Sequence, residues 1–199
     1  MGRYIIHTMA ILLSGIALGT FSKYLDCTAS NELPHVLEYL DVRNFLGRFA
    51  IWLLLALCIA VYSHSPVRAA INVFVLFAGV VASYYLYSQF VAGFFPKSYS
   101  LVWIGFTAIS PLLAILCWHA KGKGKISLGI SALIIAFLFN ASFVYGWLYF
   151  GMRSILELIT FLCGAAVLKR ESARDTAMMI VTGIASAVLL HMLVPIHFG

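Results

Sequence analysis

Charge is the scarcest commodity in this chain. Only 10% of its 199 residues are Asp, Glu, Lys or Arg, and seven of those are acids. A soluble domain carries roughly 25% charged residues, so a water-facing surface of ordinary composition is excluded. Cysteine is limited to Cys27, Cys58, Cys117 and Cys163, far apart and with no C-x-x-C. Neither a zinc site nor a redox dithiol is encoded that way. Three of the four lie in apolar runs, where an inert thiol is expected. H-E-x-x-H, G-x-S-x-G and a P-loop are all missing. There is no low-complexity segment and no clear internal repeat, which removes the support for an inverted-repeat transporter.

What fills the chain instead is apolar: 63% hydrophobic residues and a mean hydropathy of +1.00. No water-soluble fold hides that much apolar surface, so the solvent is a bilayer. Length predicts one domain, 1–199, of all-α class: a polytopic bundle of transmembrane helices. The net charge of +6 is then read as Lys and Arg at cytoplasmic helix ends, not as a nucleic-acid surface.

Apolar runs predict about seven spans: Tyr4–Ser22, Phe49–Ser63 (entered from Asn44 or earlier), Ala69–Phe95, Leu101–Trp118, Ile126–Phe150, Ile155–Leu168 and Met178–Phe198. The sixth is short, about 21 Å at helical rise. Pro111 should kink the fourth, and Pro195 lies near the end of the last. The first run resembles a signal peptide in outline but continues without a polar cleavage region, and is read as a retained helix. The longest polar interval, Lys23–Arg48, follows it. Within this interval Leu33, Val36, Leu37 and Leu40 form one apolar stripe, with His35, Glu38 and Asp41 opposite, which predicts a short helix lying in the interface plane.

Eight of the thirteen basic residues fall on one side if the N-terminus is cytoplasmic: Arg3, Arg68, Lys121, Lys123, Lys125, Lys169, Arg170 and Arg174. Asp26, Glu32, Glu38 and Asp41 fall on the other. The N-terminus is therefore expected inside and the C-terminus outside. The lysines of Lys121–Lys125 suit anionic lipid.

Ionisable groups near or within spans are costly and tend to be paired or functional. Under this topology they collect in the outer half: Lys23, Asp26, Asp41, Arg43, Arg48, Arg153, Glu157 and His191, with Asn140 and Tyr84. Arg153 and Glu157, four apart, are expected to pair. The aromatics share the bias, among them Tyr84, Tyr85, Trp103 and Trp147, while the cytoplasmic halves read as almost wholly apolar. Two readings fit: an interfacial aromatic belt with charges reaching the headgroups, and an outward-facing polar-aromatic pocket, which the asymmetry favours because a belt should mark both interfaces. Lys23, Arg43, Arg48 and Arg153 would attract an anionic or zwitterionic ligand. Asp26, Asp41 and Glu157 would hold them, and Asn140 and Tyr84 would orient the ligand. Small residues Ala10, Ser14, Gly15 and Gly19 permit close helix packing, within the chain or on a membrane partner.

The runs Gly15–Asp26 (GIALGTFSKYLD), Asn31–Trp52 (NELPHVLEYLDVRNFLGRFAIW) and Phe90–Ser100 (FVAGFFPKSYS) resemble a family of multi-pass membrane proteins of Gram-positive bacteria. The resemblance implies a bacterial plasma membrane and no particular activity. Ala10-x-x-x-Ser14 and Gly15-x-x-x-Gly19 on the first helix are also similar to the substrate-binding subunits of energy-coupling-factor vitamin transporters. That likeness implies docking on a partner and a ligand from outside, but six spans with both ends inside, against about seven here.

The expectation is thus a membrane binding or transport subunit that takes a small ligand from the outer side. The alternative is an accessory or assembly protein docking through the Gly15/Gly19 face. No cofactor, metal or nucleic acid is implied. An enzyme acting through His191 or Glu157 has the least support, since no paired catalytic geometry is legible.

Overall fold

The computed structural model describes residues 2–193, without the side chains of Arg3 and Ser30. Helix α1 runs over Gly2–Cys27. After a 3-10 turn at Ser30–Glu32 come α2 (His35–Tyr39), α3 (Val42–Gly47) and α4 (Phe49–Val61). Helices α5 (Pro66–Phe90), α6 (Lys97–His119) and α7 (Lys125–Ser142) follow. A hairpin of β1 (Phe143–Tyr145) and β2 (Phe150–Met152) then leads to α8 (Ile155–Leu168) and α9 (Ala173–Leu193). Helices α1, α5, α6, α7 and α9 are long and apolar enough to cross a membrane, while α4 and α8 are shorter apolar helices. Ile6, Leu13, Leu112, Val181 and many other large apolar side chains lie exposed on the outside of the bundle, as helices bathed in lipid require.

Side-chain contacts fix the helix directions. Thr8 meets Asn72 near the start of α1 and α5, and Asp26 meets Tyr84 near their ends, so the two run parallel. The Phe49 and Trp103 rings stack at 5.7 Å, and Trp118 Nε1 donates to the Ser63 carbonyl at 2.9 Å, so α4 runs parallel to α6. Asn140 reaches the Ala187 carbonyl and Tyr145 lies by His191, so α7 runs parallel to α9. Direction alternates along the chain, and the 28–48 interval, the 91–96 loop and the hairpin gather at one end. That end is called outer below.

Among the described residues three apolar clusters hold the bundle, one of them around Phe139 and Ala187 between α7 and α9; the other two bear on the site. One joins Leu57, Val73, Ile135, Leu138, Leu168 and Met179 across α4, α5, α7, α8 and α9. The other lies under the outer interval, where Leu25, Phe45, Leu46, Trp52 and Val80 pack with Leu33, Leu37 and Leu156. Between α1 and α5 the backbones nearly touch. A Cβ on Gly15 would collide with the Leu76 carbonyl oxygen, and one on Gly19 with that of Val80. The small-residue face of α1 is thus filled by α5, while Ala10 and Ser14 remain exposed.

Several expectations change. The predicted Ile126–Phe150 helix stops at Ser142. Phe143–Tyr145 pairs with Phe150–Met152, with Phe143 opposite Met152, and the Gly146 N–H bonds the Tyr149 carbonyl at 2.9 Å. Aromatic and β-branched residues followed by Gly146 favour a strand and turn over a helix end. The predicted entry of the second span as one helix is broken at Arg48, which is extended (φ −96, ψ 166), and Asp41 is left-handed (φ 52). The polar interval holds a five-residue helix, α2; Leu37 within it and Leu33 before it pack inward, while Val36 is exposed. Helix α5 starts at Pro66, capped by Ser65, whose Oγ accepts the Arg68 N–H. It ends at Phe90 and not at Phe95, with Ser88 and Gly93 (φ +75) turning the chain. Pro111 sits inside α6, and the Thr107 carbonyl that it cannot serve accepts the Ser110 hydroxyl at 2.8 Å; side chains re-satisfy such freed groups in membrane helices. Pro195 and the end of the last predicted span lie outside the described residues.

Candidate functional site

The last turns of α1 bring Lys23 and Asp26 to the outer end on one helix face, opposite Tyr84 of α5. The Tyr84 hydroxyl donates to Asp26 Oδ2. Lys23 is only 5% exposed, and its Nζ lies 4.9 Å from the Tyr84 ring centroid and 4.7 Å from that of Phe94. This cation–π clamp holds a cation that water barely reaches.

Beside this group is a cavity of about 160 Å³ between α1, the α3–α4 junction, α5 and α6. Asp26, Gly47 and Tyr99 are its exposed members. Ser22, Trp52 and Tyr85 form the buried floor, and Trp103 closes one wall. Trp52 is locked in place by donating Nε1–H to the Leu46 carbonyl at 2.8 Å. The Tyr85 hydroxyl is buried and has no hydrogen-bond partner. An orphaned hydroxyl of this kind costs about 1–3 kcal/mol.

A second group lies alongside. Arg48, at the break between α3 and α4, pairs with Glu157 in the first turn of α8 (Nη1–Oε1 2.8 Å) and more loosely with Asp41 (3.8 Å). Glu157 is fully buried, and its other oxygen accepts from the Ser154 hydroxyl. Asn44 Nδ2 donates to Asp41 at 2.7 Å. Arg153 stands nearby. Burial and the Arg48 charge lower its pKa from the ordinary guanidinium value, and Glu157 opposes them. Arg153 precedes the N-cap Ser154, so the i, i+4 spacing expected to join it to Glu157 does not lie on one helix. Arg43 ties the outer interval together by donating Nη2–H to the Thr28 carbonyl.

Asn140 and His191 belong to a third place. Asn140 Nδ2 donates to the Ala187 carbonyl at 3.1 Å, and Oδ1 accepts the Tyr145 hydroxyl at 2.6 Å. The Tyr145 ring lies 4.8 Å from that of His191. This is a bond between helices, away from the cavity. Of the ten candidates, Asp26 and Tyr84 line the cavity and Lys23 supports it. Arg48, Asp41 and Glu157 brace its neighbouring helices, with Arg153 beside them. Trp52, Tyr85, Tyr99 and Trp103 complete the lining. They belong to an aromatic-rich chain, but one sequence gives no way to align separate helices.

The inner end is not apolar, contrary to expectation. Asn72, 5% exposed, accepts the Thr8 hydroxyl at 2.9 Å and donates to Ser63 Oγ at 3.4 Å. Arg170 donates to the carbonyls of Ala120 and Gly122 (both 2.7 Å) and Ser127 (2.8 Å), and to the hydroxyls of Ser127 and Ser131. Serines and a lone Asn scarcely interrupt an apolar run, so their inward face escapes a reading based on charge. Among the described residues no three His, Cys, Asp or Glu side chains are placed to hold a metal ion. Comparison of the chain with family models, curated proteins and solved structures found no match in any of the three.

Proposed function

We propose that this chain is a seven-span membrane protein with its N-terminus inside, and that it binds a small molecule in the cavity at its outer end. The span count rests on two short helices. α4 lies beside α6 from Trp103 to Trp118, nearly the full length of that helix. α8 runs from the Arg48–Glu157 pair at the outer end toward Arg170 at the inner one. The outer α3 and the hairpin supply the length that each short helix lacks.

The observation that carries the binding function is the aromatic-walled cavity with a carboxylate at its mouth. A cavity of about 150 Å³ holds a benzene-sized guest, so the ligand has a handful of heavy atoms. Concave sites with mostly apolar walls and a few placed polar groups are the usual form of small-molecule pockets. The role is that of a binding or transport subunit.

Gly47 provides the test. It lines the cavity, yet a Cβ there meets nothing within 4 Å, so Gly47→Trp should obstruct the site without disturbing the fold. A screen of small polar molecules against the detergent-purified protein should find compounds that raise its melting temperature. That rise should vanish in Gly47→Trp, while the unliganded melting temperature stays the same. Stabilisation that survives Gly47→Trp undiminished would place the ligand elsewhere.

A further inference from the structure

We infer that the ligand of the outer cavity is a small organic cation of the quaternary ammonium type. The inference rests on the pocket reading above and adds the sign and shape of the ligand's charge. It departs from the anionic or zwitterionic ligand expected from the sequence.

The lining includes Asp26 and neither Lys nor Arg. The cations that an anionic ligand would need are engaged outside it. Arg48 is held by Glu157 and Asp41, and Arg43 by the Thr28 carbonyl. Its aromatic lining is Tyr84, Tyr85, Tyr99, Trp103 and Trp52, with Lys23 over the Tyr84 ring and Phe49 stacked on Trp103. Aromatic faces carry negative quadrupole potential, and cages of such rings are a known solution for binding quaternary ammonium groups. The Tyr84 hydroxyl fixes Asp26 through Oδ2, and the carboxylate is exposed.

Lys23 decides between kinds of cation. Its ammonium lies against the Tyr84 ring, close to the cavity. It opposes a compact ammonium, which needs short hydrogen bonds to Asp26. It opposes a methylated ammonium less, because that charge is spread and its contacts are with rings. A trimethylammonium group satisfies these features together. Such a group occurs free and in the headgroup of choline lipids.

Choline is the direct probe, followed by Trp fluorescence and thermal shift of the full-length protein in a maltoside detergent. Its neutral isostere 3,3-dimethylbutanol, acetate and inorganic phosphate serve as controls. Choline should bind at least about tenfold more tightly than the isostere, and Asp26→Asn should weaken choline by about tenfold without changing the isostere. Asp26 is exposed, and unchanged elution and melting of the unliganded variant establish that it folds. Equal binding of choline and the isostere, or preferential binding of acetate or phosphate, overturns the cation assignment and leaves the pocket standing. No response to any probe at millimolar concentration, together with a ligand from the wider screen that Gly47→Trp blocks, also overturns it. In nanodiscs, a choline response that persists in both phosphatidylglycerol and phosphatidylcholine supports a free cation. A response lost only in phosphatidylcholine supports the lipid headgroup as occupant of the same cation site.

Discussion

A carboxylate with no solvent exposure survives only beside a compensating charge. Glu157 is in that position, with Arg48 at 2.8 Å and the Ser154 hydroxyl on its other oxygen. Removing one partner of a buried pair leaves the other uncompensated and costs about 3–5 kcal/mol. Arg48→Met should therefore lower the melting temperature of the detergent-purified protein sharply. The double variant Arg48→Met/Glu157→Leu should recover most of the loss, because an apolar pair of similar volume is often neutral. The double-mutant cycle measures the coupling, and equal losses in the single and double variants would show that the pair does not brace α4 against α8. Both residues were legible in the sequence as costly groups near helix ends. Their pairing was not, because 109 positions separate them and a local partner, Arg153, stood at helical spacing.

At the scale of elements, the packing of α1 on α5 is the most exacting feature. Gly19 faces the Val80 carbonyl oxygen and the Ser83 hydroxyl so closely that even a methyl group has no room. Backbone is the obstacle, and backbone cannot rotate aside. Gly19→Ala should cost about 2 kcal/mol through forced separation of the helices. Gly105→Ala, on α6 with nothing within 4 Å, should leave stability unchanged or slightly raised, since Ala is the better helix former. Thermal melting of the two variants side by side checks this, and equal effects would mean that the α1–α5 contact is loose. Spacing of small residues made this face visible in the sequence, though not which helix would fill it. The hairpin was invisible for another reason. Phe143–Phe150 is as apolar as the helix before it, and hydropathy alone does not separate strand from helix in such a run. Pro66 and Ser65 marked the start of α5, yet the charge of Arg68 drew the expected start three residues too late.

Across the whole molecule the issue is whether α4 and α8 cross. With 13 and 14 residues they fall short of the ~20 that a bilayer core demands. Composition exposed the shortness of α8 but not the elements that lead into the two short helices: α3 and the extended Arg48 before α4, and the hairpin before α8. If both cross, the two ends of each lie in different compartments. Glu32 and His64 flank the α2–α4 stretch, Leu148 and Glu171 flank α8, and all four are exposed. With the native cysteines replaced by serine, single Glu32→Cys and Leu148→Cys variants should react with a membrane-impermeant maleimide on intact cells. His64→Cys and Glu171→Cys should react only after permeabilisation. Labelling of Glu32→Cys and His64→Cys from the same side would mean that α4 turns back. The parallel alignment of α4 with α6 would then have to hold within one leaflet, and the cavity would lose its floor, because Trp52 reaches it from α4. The membrane topology and the binding site therefore stand on the same helix, and a labelling experiment that never touches a ligand bears directly on the pocket.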